Sequence, residues 1–203
     1  MRDRLNIMAV KGAGPDFLGF VFYPGSPRFV GGDIDPVRLR EAAGEMVTVG
    51  VFVNESPEHM VDVARSYGLN LLQLHGAEPV SSCEALKNAG FGVIKAFGLD
   101  ESFDFGKLTP FIPVCDYMLF DTQSKHHGGA GKKFNWDVLS RYTFDTPFFL
   151  SGGIAPGDAG AIREITHPAF YGVDINSRFE TAPGIKNIKQ VTSFIKAVKI
   201  KET

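Results

Sequence analysis

Seven short apolar runs, separated by helix-like segments, constrain the fold of this chain more than any other feature. The runs cover residues 17–23, 47–53, 70–76, 92–98, 116–121, 147–153 and 169–175. None of them alternates cleanly between apolar and polar residues, so both faces of each strand are expected to be covered. This pattern is typical of a parallel sheet with helices packed outside it.

The segments between the runs carry helix start and stop signals. Asp35 and Ser56 each stand before a proline, the arrangement of an N-cap followed by proline in the first turn, and Gly68 follows the second of these helices. Helices are predicted over residues 36–45, 57–67, 79–89, 156–165 and 188–199, with Asn187 as the cap of the last one. The stretch 100–115 has the weakest helix signal.

A further helix is predicted in the opening segment, residues 2–14, ahead of the first apolar run. Its apolar face is expected to contain Leu5 and Met8 and to extend to Ile7. Gly12 or Gly14 is expected to end it.

The alternation of strands and helices, unbroken by any linker-like stretch, predicts one domain over residues 1–203. Two α/β architectures fit: a doubly wound open sheet and a TIM (β/α)8-type barrel, which in compact form needs about 200 residues. No GxGxxG motif follows a strand, which favours the barrel over a dinucleotide-binding open sheet. Because eight strands close a barrel and only seven are readable, runs 17–23 and 169–175 are each expected to leave an unpaired edge.

The composition argues against several classes of partner. A net charge of −2 gives no reason to expect nucleic acid or an anionic membrane surface. No apolar stretch approaches the ~20 residues that span a bilayer. The two cysteines, Cys83 and Cys115, form no CxxC motif, which argues against a disulfide framework or a zinc site. A cytoplasmic protein is therefore expected. No metal site is expected, because no carboxylate or histidine recurs at the spacing of metal ligands.

In parallel βα folds, ligands gather at the carboxyl ends of the strands, and two of those ends suggest a phosphate site. Gly152 and Gly153 offer backbone N–H groups that no Cβ shields, and Asp174, Asn176 and Ser177 follow the next run. The glycine pair alone is better explained by a tight turn. Together, the two ends favour phosphate binding.

Three more strand ends offer a guanidinium, an amide and an imidazole. Arg28 lies in a loop stiffened by prolines, which suits binding of a carboxylate, although from this loop alone a solvated arginine is the better explanation. Gln73 and His75 alternate with leucines and are expected to point together toward the barrel mouth. A buried, hydrogen-bonded Gln–His pair is the alternative.

Asp121 ends the fifth apolar run and is the candidate general acid. A carboxyl group at a mouth ringed by apolar strands is desolvated, which favours the protonated form that a general acid needs. The alternative is a carboxylate that accepts hydrogen bonds from the polar loop after it. His126 and His127 in that loop are interpreted as solvated residues.

Several motifs together resemble phosphoribosylanthranilate isomerase, an enzyme family of tryptophan biosynthesis. They occur in the family's order and read GFVFYPGSPRFV, VGVFVNE, LLQLHGAE, VIKAFG, FDTQ followed by GGAGKKFNW, and LSGGI. The resemblance covers nearly the whole chain. It implies a small TIM barrel without a cofactor that converts an aminoaldose into an aminoketose by an Amadori rearrangement.

The resemblance also implies roles for the candidate residues. Asp121 matches the general acid, Arg28 matches the group that binds the anthranilate carboxylate, and Gln73 and His75 line the site. The residues implied to surround the phosphate are Gly152, Gly153, Asp174, Asn176 and Ser177. The chain reads NSRF where the family more often has a Ser-Ser-Gly-like run, so backbone donors are expected to matter more there than side chains.

The largest departure from the family pattern is at the start of the chain. The family carries its general base, a cysteine, in a first strand that reads like Lys-Ile-Cys-Gly, and no such segment occurs here. Cys83 lies in a predicted helix and Cys115 lies at the opposite end of the barrel, so neither is expected to replace it. The sequence therefore leads to the expectation of a truncated isomerase with poor turnover.

Two other functions stay open at this point. One is another phosphate-binding barrel enzyme of amino-acid biosynthesis, such as an aminoaldose isomerase of histidine synthesis or a lyase like the tryptophan synthase α chain. The other is a non-catalytic phosphosugar-binding barrel. Both a monomer and a homodimer fit the sequence, since an unpaired strand edge can drive dimerisation.

Overall fold

The computed structural model describes residues 1–32, 34–122 and 136–199, with the side chain of Thr122 left aside. His126, His127 and most of the polar loop after Asp121 lie outside the described residues.

Seven strands form one parallel sheet in which every strand pairs with its neighbours in sequence. They are β1 (Phe17–Val21), β2 (Val47–Phe52), β3 (Leu71–Leu74), β4 (Gly92–Leu99), β5 (Tyr117–Thr122), β6 (Phe148–Ser151) and β7 (Phe170–Val173). The predicted parallel sheet is confirmed. Five predicted runs contain a strand completely, and β4 and β5 each extend one residue beyond theirs.

The sheet curls, so that its first and last strands meet inside it. The ring of Phe17 in β1 lies 5.5 Å from that of Phe149 in β6 and 6.0 Å from that of Tyr171 in β7, measured between centroids. Among the described residues β1 and β7 do not pair with each other, so the sheet is a curled, open half-barrel of seven parallel strands with helices on its outside. Each of these two strands leaves one edge unpaired within the sheet, as predicted.

Among the described residues, six α-helices accompany the strands, and most of the helix signals in the sequence are confirmed. They are α1 (Arg4–Gly12), α2 (Pro36–Ala43), α3 (Pro57–Tyr67), α4 (Val80–Asn88), α5 (Ala159–Arg163) and α6 (Ile188–Lys199). The side chains of Asp35, Ser56 and Asn187 accept hydrogen bonds from backbone N–H groups three residues later, as N-caps do. Gly68 ends α3 with a left-handed backbone at φ 67°. None of the described helices is long and apolar enough to cross a membrane.

Helix α1 buries a different face from the one predicted. Ile7 and Val10 are buried, whereas Leu5 is 71% and Met8 43% exposed. Residues 7 and 10 lie one helical turn apart and face the neighbouring helices α2 and α6. The prediction that Leu5 and Met8 pack inside was wrong, because apolar spacing alone allows two overlapping faces on so short a helix. The predicted end at Gly12 is confirmed.

Other segments differ from the prediction in kind. Residues 100–115 form two 3₁₀ turns, Phe105–Leu108 and Ile112–Val114, instead of a helix. The predicted helix over 156–165 begins as a 3₁₀ turn, Pro156–Asp158, and α5 has only five residues. A short antiparallel hairpin of β8 (Glu180–Ala182) and β9 (Ile185–Lys186) was not predicted.

The apolar core has two layers, separated by the sheet. A smaller cluster fills the barrel and contains Val49, Leu71, Ile94, Ala96, Leu119 and Phe149. The larger cluster lies between the strands and the helices. In β3, Leu71 faces the barrel interior and Leu72 faces the helices, and this alternation points Gln73 inward toward the carboxyl end of the strand.

Part of the outer edge of β1, which a seven-strand sheet leaves unpaired, is hydrogen-bonded to other segments of the chain. The amino group of Met1 lies 3.3 Å from the carbonyl oxygen of Gly19, and Val30 N–H donates to the carbonyl of Val21 at 2.9 Å. These contacts cover part of the edge from the side of the barrel mouth.

Candidate active site

A cavity of about 260 Å³ opens at the carboxyl ends of the strands. Every predicted site residue except Arg28 lines it: Gln73, His75, Asp121, Gly152, Gly153, Asp174, Asn176 and Ser177. Val21, Val51, Ser151 and Ile154 complete the lining. Residues from β1, β2, β3, β5, β6 and β7 thus converge on one place, as expected where parallel strands end.

Asp121 belongs to a short chain of hydrogen-bonded side chains on one wall of the cavity. His75 Nε2 lies 3.2 Å from Asp121 Oδ2, and Gln73 Nε2 lies 2.9 Å from His75 Nδ1. With the Gln73 amide donating, Nδ1 accepts, and Nε2 carries the hydrogen that it donates to Asp121. The arrangement thus holds the imidazole of His75 against a carboxyl group whose side chain is 27% exposed.

The glycine pair lies on another side of the cavity, directly after β6. Both glycines have positive φ, 90° at Gly152 and 66° at Gly153. A Cβ added at Gly153 would meet nothing within 4 Å, so the backbone conformation, and not lack of space, requires glycine there. Because the following helix α5 is so short, an anion here would depend on backbone N–H groups more than on a helix dipole.

Two hydrogen bonds join Asp174, the residue directly after β7, to β6. Ser151 Oγ donates to Asp174 Oδ2 at 3.2 Å, and Asp174 N–H donates to the carbonyl of Leu150 at 2.9 Å. The carboxylate of Asp174 is therefore directed to Ser151. The sequence analysis did not single out Ser151, although it precedes the glycines in the same LSGGI motif.

Arg28 does not line the cavity, because its guanidinium group forms an ion pair with Glu180. Nε and Nη2 lie 2.9 and 2.7 Å from Glu180 Oε2, and Glu180 is 5% exposed at its side chain. The predicted role of Arg28 in binding a carboxylate stays a prediction. In this structure the carboxylate that it binds is one of the protein's own.

Lys186 extends this ion pair to the rim of the cavity. Its Nζ lies 3.1 Å from Glu180 Oε1 and 2.7 Å from the side-chain oxygen of Asn176, which lines the cavity. Burial by itself would raise the pKa of Glu180, but hydrogen bonds from Arg28 and Lys186 hold it below its ordinary value. Burial lowers the pKa of Lys186.

Sequence reasoning missed both Glu180 and Lys186. The Pro183-Gly184 pair between them is a turn signal that could have predicted the hairpin. It carries no information on which distant side chain the hairpin would meet.

Both cysteines lie away from the cavity. Cys83 is in α4 and Cys115 precedes β5, and both are buried and free. The hydrogen bond between the two thiols lowers the pKa of Cys83 and, together with burial, raises that of Cys115. Within the described ranges no three His, Cys, Asp or Glu side chains come together as a metal site would require.

The comparisons with known proteins agree with one another. The family model for N-(5'phosphoribosyl)anthranilate (PRA) isomerase matches residues 3–197. An N-(5'-phosphoribosyl)anthranilate isomerase of Phocaeicola vulgatus is 43% identical over 201 residues, which are 99% of this chain and 96% of that protein.

Solved structures point to the same family. Phosphoribosyl anthranilate isomerase from Thermotoga maritima is 33% identical with a TM-score of 0.80, covering 98% of this chain and 95% of that one. A structure of the isomerase in complex with reduced 1-(o-carboxyphenylamino)-1-deoxyribulose 5-phosphate has the same TM-score and coverage at 31% identity. The chain belongs to the N-(5'-phosphoribosyl)anthranilate isomerase family.

Proposed function

We propose that this chain isomerises N-(5'-phosphoribosyl)anthranilate to the aminoketose 1-(o-carboxyphenylamino)-1-deoxyribulose 5-phosphate. The observation that carries the proposal is that one cavity is lined both by the carboxyl group of Asp121 and by the paired glycines Gly152 and Gly153. A phosphorylated sugar bound with its phosphate at the glycines would have its ring within the same cavity as the acid.

In the first step Asp121 acts as general acid. Its proton passes to the furanose ring oxygen, the bond from that oxygen to C1′ breaks, and the anthranilate nitrogen forms a Schiff base with C1′. His75 Nε2 lies 3.2 Å from Asp121 Oδ2 and so contacts the carboxylate that remains.

In the second step a base removes the proton from C2′, and the resulting enolamine tautomerises to the ketose. In the family that the chain resembles, this base is a cysteine in a Lys-Ile-Cys-Gly-like segment, and no such segment occurs in residues 1–203. The two thiols of the described residues lie outside the cavity and take no part in this scheme.

The phosphate is placed against backbone N–H groups after β6 and β7. Gly152 and Gly153 form a turn whose backbone N–H groups no side chain shields, and such turns can make a concave anion site. Gly152, Gly153, Asn176 and Ser177 contribute donors in this proposal. Asp174 lies beside the phosphate without donating to it, because its N–H donates to the carbonyl of Leu150 and its carboxylate accepts from Ser151.

Arg28 is assigned to the anthranilate carboxylate. Glu180 engages Nε and Nη2, so the second terminal nitrogen can bind another carboxylate without breaking the ion pair. Glu180 would then hold the guanidinium at a fixed angle near the rim.

The loss of fluorescence of the anthranilate adduct tests the proposal. We expect the purified chain to remove the signal of phosphoribosylanthranilate only slowly, because no described residue is assigned as the base of the second step. The Asp121→Asn variant should lose this ability, and Asp62→Asn, a change at an exposed carboxylate on α3, should keep it. Binding of the substrate without turnover by the unaltered chain would favour the non-catalytic phosphosugar-binding protein instead.

We further propose that residues 1–203 act as one domain, as a monomer or homodimer, in the cytoplasm. One continuous sheet supports the single domain, and two free, buried cysteines are typical of a reducing compartment. Sedimentation at several concentrations distinguishes the monomer from the homodimer.

A further inference from the structure

One buried ion pair lies outside the cavity and has no part in the scheme above. Lys95 Nζ lies 2.9 Å from Glu78 Oε2, and the two residues are 2% and 5% exposed. Lys95 alternates in β4 with Ile94 and Ala96, which face the barrel interior, so its side chain points to the helix-facing side of the sheet.

Stability does not account for this pair. Removing two charges from water costs free energy that their attraction often fails to offset, and apolar replacements of similar volume are frequently as stable. Burial by itself would raise the pKa of Glu78, but hydrogen bonds from Lys95 and from Asn54 N–H lower it below its ordinary value. The carboxylate is therefore ionised and fully engaged at neutral pH.

Both charges bind the backbone on either side of His75. Lys95 Nζ donates to the carbonyl of Leu74 at 3.2 Å and to that of Gly76 at 2.8 Å. The Glu78 carboxylate accepts from Gly76 N–H at 2.9 Å and from Asn54 N–H at 2.7 Å. The peptide group before His75 and the peptide group after it are thus both hydrogen-bonded to the same ion pair.

The turn after His75 is also tightly packed against the loop after β2. A Cβ added at Gly76 would lie 2.3 Å from Asn54 Oδ1, and that oxygen accepts from Ala77 N–H at 2.7 Å. His75 N–H itself donates to the carbonyl of Phe52 at 2.9 Å. The N–H of His75, the carbonyl of Leu74 before it and the N–H of Gly76 after it are thus all hydrogen-bonded, while the imidazole lines the cavity.

We propose that Lys95 and Glu78 are positioning residues for the general acid, because they hold the backbone of residues 74–76 so that His75 Nε2 stays on Asp121 Oδ2. Neither side chain lines the cavity, so both act through His75. The inference deepens the proposed function and rests on it for the effect on turnover. The geometry of His75 can be measured without turnover.

The double variant Glu78→Gln/Lys95→Met tests the proposal, because it removes both charges and leaves no unpaired one buried. We expect a folded protein whose His75 ¹⁵N signals shift from those of a single Nε2–H tautomer toward an average of two. We expect kcat/KM to fall about 10- to 100-fold, as for a misplaced catalytic group. The acid-dependent limb of the pH–rate profile should move, and affinity for inorganic phosphate should stay within about twofold of the unaltered protein.

Lys199→Met/Asp16→Asn is the matched control. That pair has the same N–O distance of 2.9 Å, but its side chains are 49% and 69% exposed, and it lies far from His75 in the fold. The control should leave the His75 signals and the pH profile unchanged.

Glu78→Gln alone covers the case in which the double variant fails to fold. It keeps Lys95 on the two carbonyls and is expected to give a smaller shift of the same signals. The inference is overturned if a folded variant loses stability but keeps the tautomer and the pH profile of the unaltered protein. If Asp121→Asn retains activity, the proposed acid is wrong, whereas the His75 signals still decide whether the pair positions that residue.

Discussion

The two ends of the barrel interior are lined by the same strands and have opposite chemistry. At the amino ends, Phe17, Tyr117, Phe149 and Tyr171 form a ring cluster with every pair of centroids 5.0–6.3 Å apart. At the carboxyl ends of the same strands the interior is polar. Along β5 the inward-facing residues are Tyr117, Leu119 and Asp121, so the lining changes from aromatic to charged over five residues of one strand.

This difference separates stability from chemistry along the barrel axis. Aromatic pairs at the amino end bury apolar area and add about 0.5–1.5 kcal/mol each beyond it. The polar groups of this cluster, the hydroxyls of Tyr117 and Tyr171, hydrogen-bond to each other. The carboxyl end holds side chains that pack poorly but converge on a ligand. Substitutions at one end should therefore change the free energy of unfolding, and substitutions at the other should change the rate.

The largest effect is expected from Asp121→Asn, which removes the proposed acid but keeps the shape of the side chain. Activity should fall by roughly 10²–10⁴-fold, the contribution of one general acid or base. The free energy of unfolding should change by less than about 1 kcal/mol, because the side chain is partly exposed. Steady-state kinetics and urea unfolding measure the two quantities. If Asp121→Asn lowered the free energy of unfolding but left the rate unchanged, the carboxyl end would not be the part of the barrel that determines the rate.

At the opposite end, Phe149→Ala should act in the reverse way. Removing a buried ring lowers the free energy of unfolding by about 3–5 kcal/mol, while kcat of the folded fraction should stay within a few-fold of the original value. Urea unfolding measures the loss. Tyr171→Ala is the control, since that ring belongs to the same cluster but is 52% exposed. If both variants lost the same free energy of unfolding, burial of the Phe149 ring would not be what stabilises the amino end of the barrel.

Glu180→Gln should sharpen the comparison, because this residue lies near the cavity rim but is held by structural ion pairs. We expect a loss of about 1.5–3 kcal/mol at pH 7, since the variant leaves Arg28 and Lys186 without a charged partner. The folded-state pKa of Glu180 lies below the ordinary 4.5, so its charge stabilises the fold above pH 4.5 and this contribution is lost as the pH falls below it.

The difference between Glu180→Gln and the unaltered protein should therefore shrink in acid. Urea unfolding at a series of pH values checks the sign, with the exposed Glu45→Gln as control. A difference that grows on acidification would mean that the ion pairs do not hold the carboxylate in its charged form.

The smallest effect is expected at the glycine pair. Gly153→Ala places a Cβ on a residue with φ 66°, which costs roughly 1–2 kcal/mol, and should weaken binding of inorganic phosphate. Gly157→Ala is the control, because an added Cβ is equally unhindered there and its φ is not positive. Calorimetric titration with phosphate compares the two variants. Equal affinities would argue against phosphate at the glycine turn.

Local spacing in the sequence predicted most of the elements and most of the cavity. The apolar runs predicted all seven strands of the sheet, and Asp35, Ser56 and Gly68 marked helix ends because capping depends on residues within one turn. Gln73, His75, Asp121 and the glycines were predictable because the carboxyl ends of parallel strands must meet.

Contacts between distant residues were beyond the reach of these local rules. The buried face of α1 depends on which helices pack against it, and the partner of Arg28 is Glu180, 152 residues away. The sequence by itself therefore determined the strands, the helix ends and the set of polar groups at the barrel mouth, since each depends on a few neighbouring residues. Only the tertiary structure decided that Arg28 pairs with Glu180 and that Lys95 and Glu78 bind the backbone beside His75. The reason is that the partner of a charged side chain is set by which distant residues the fold places near it.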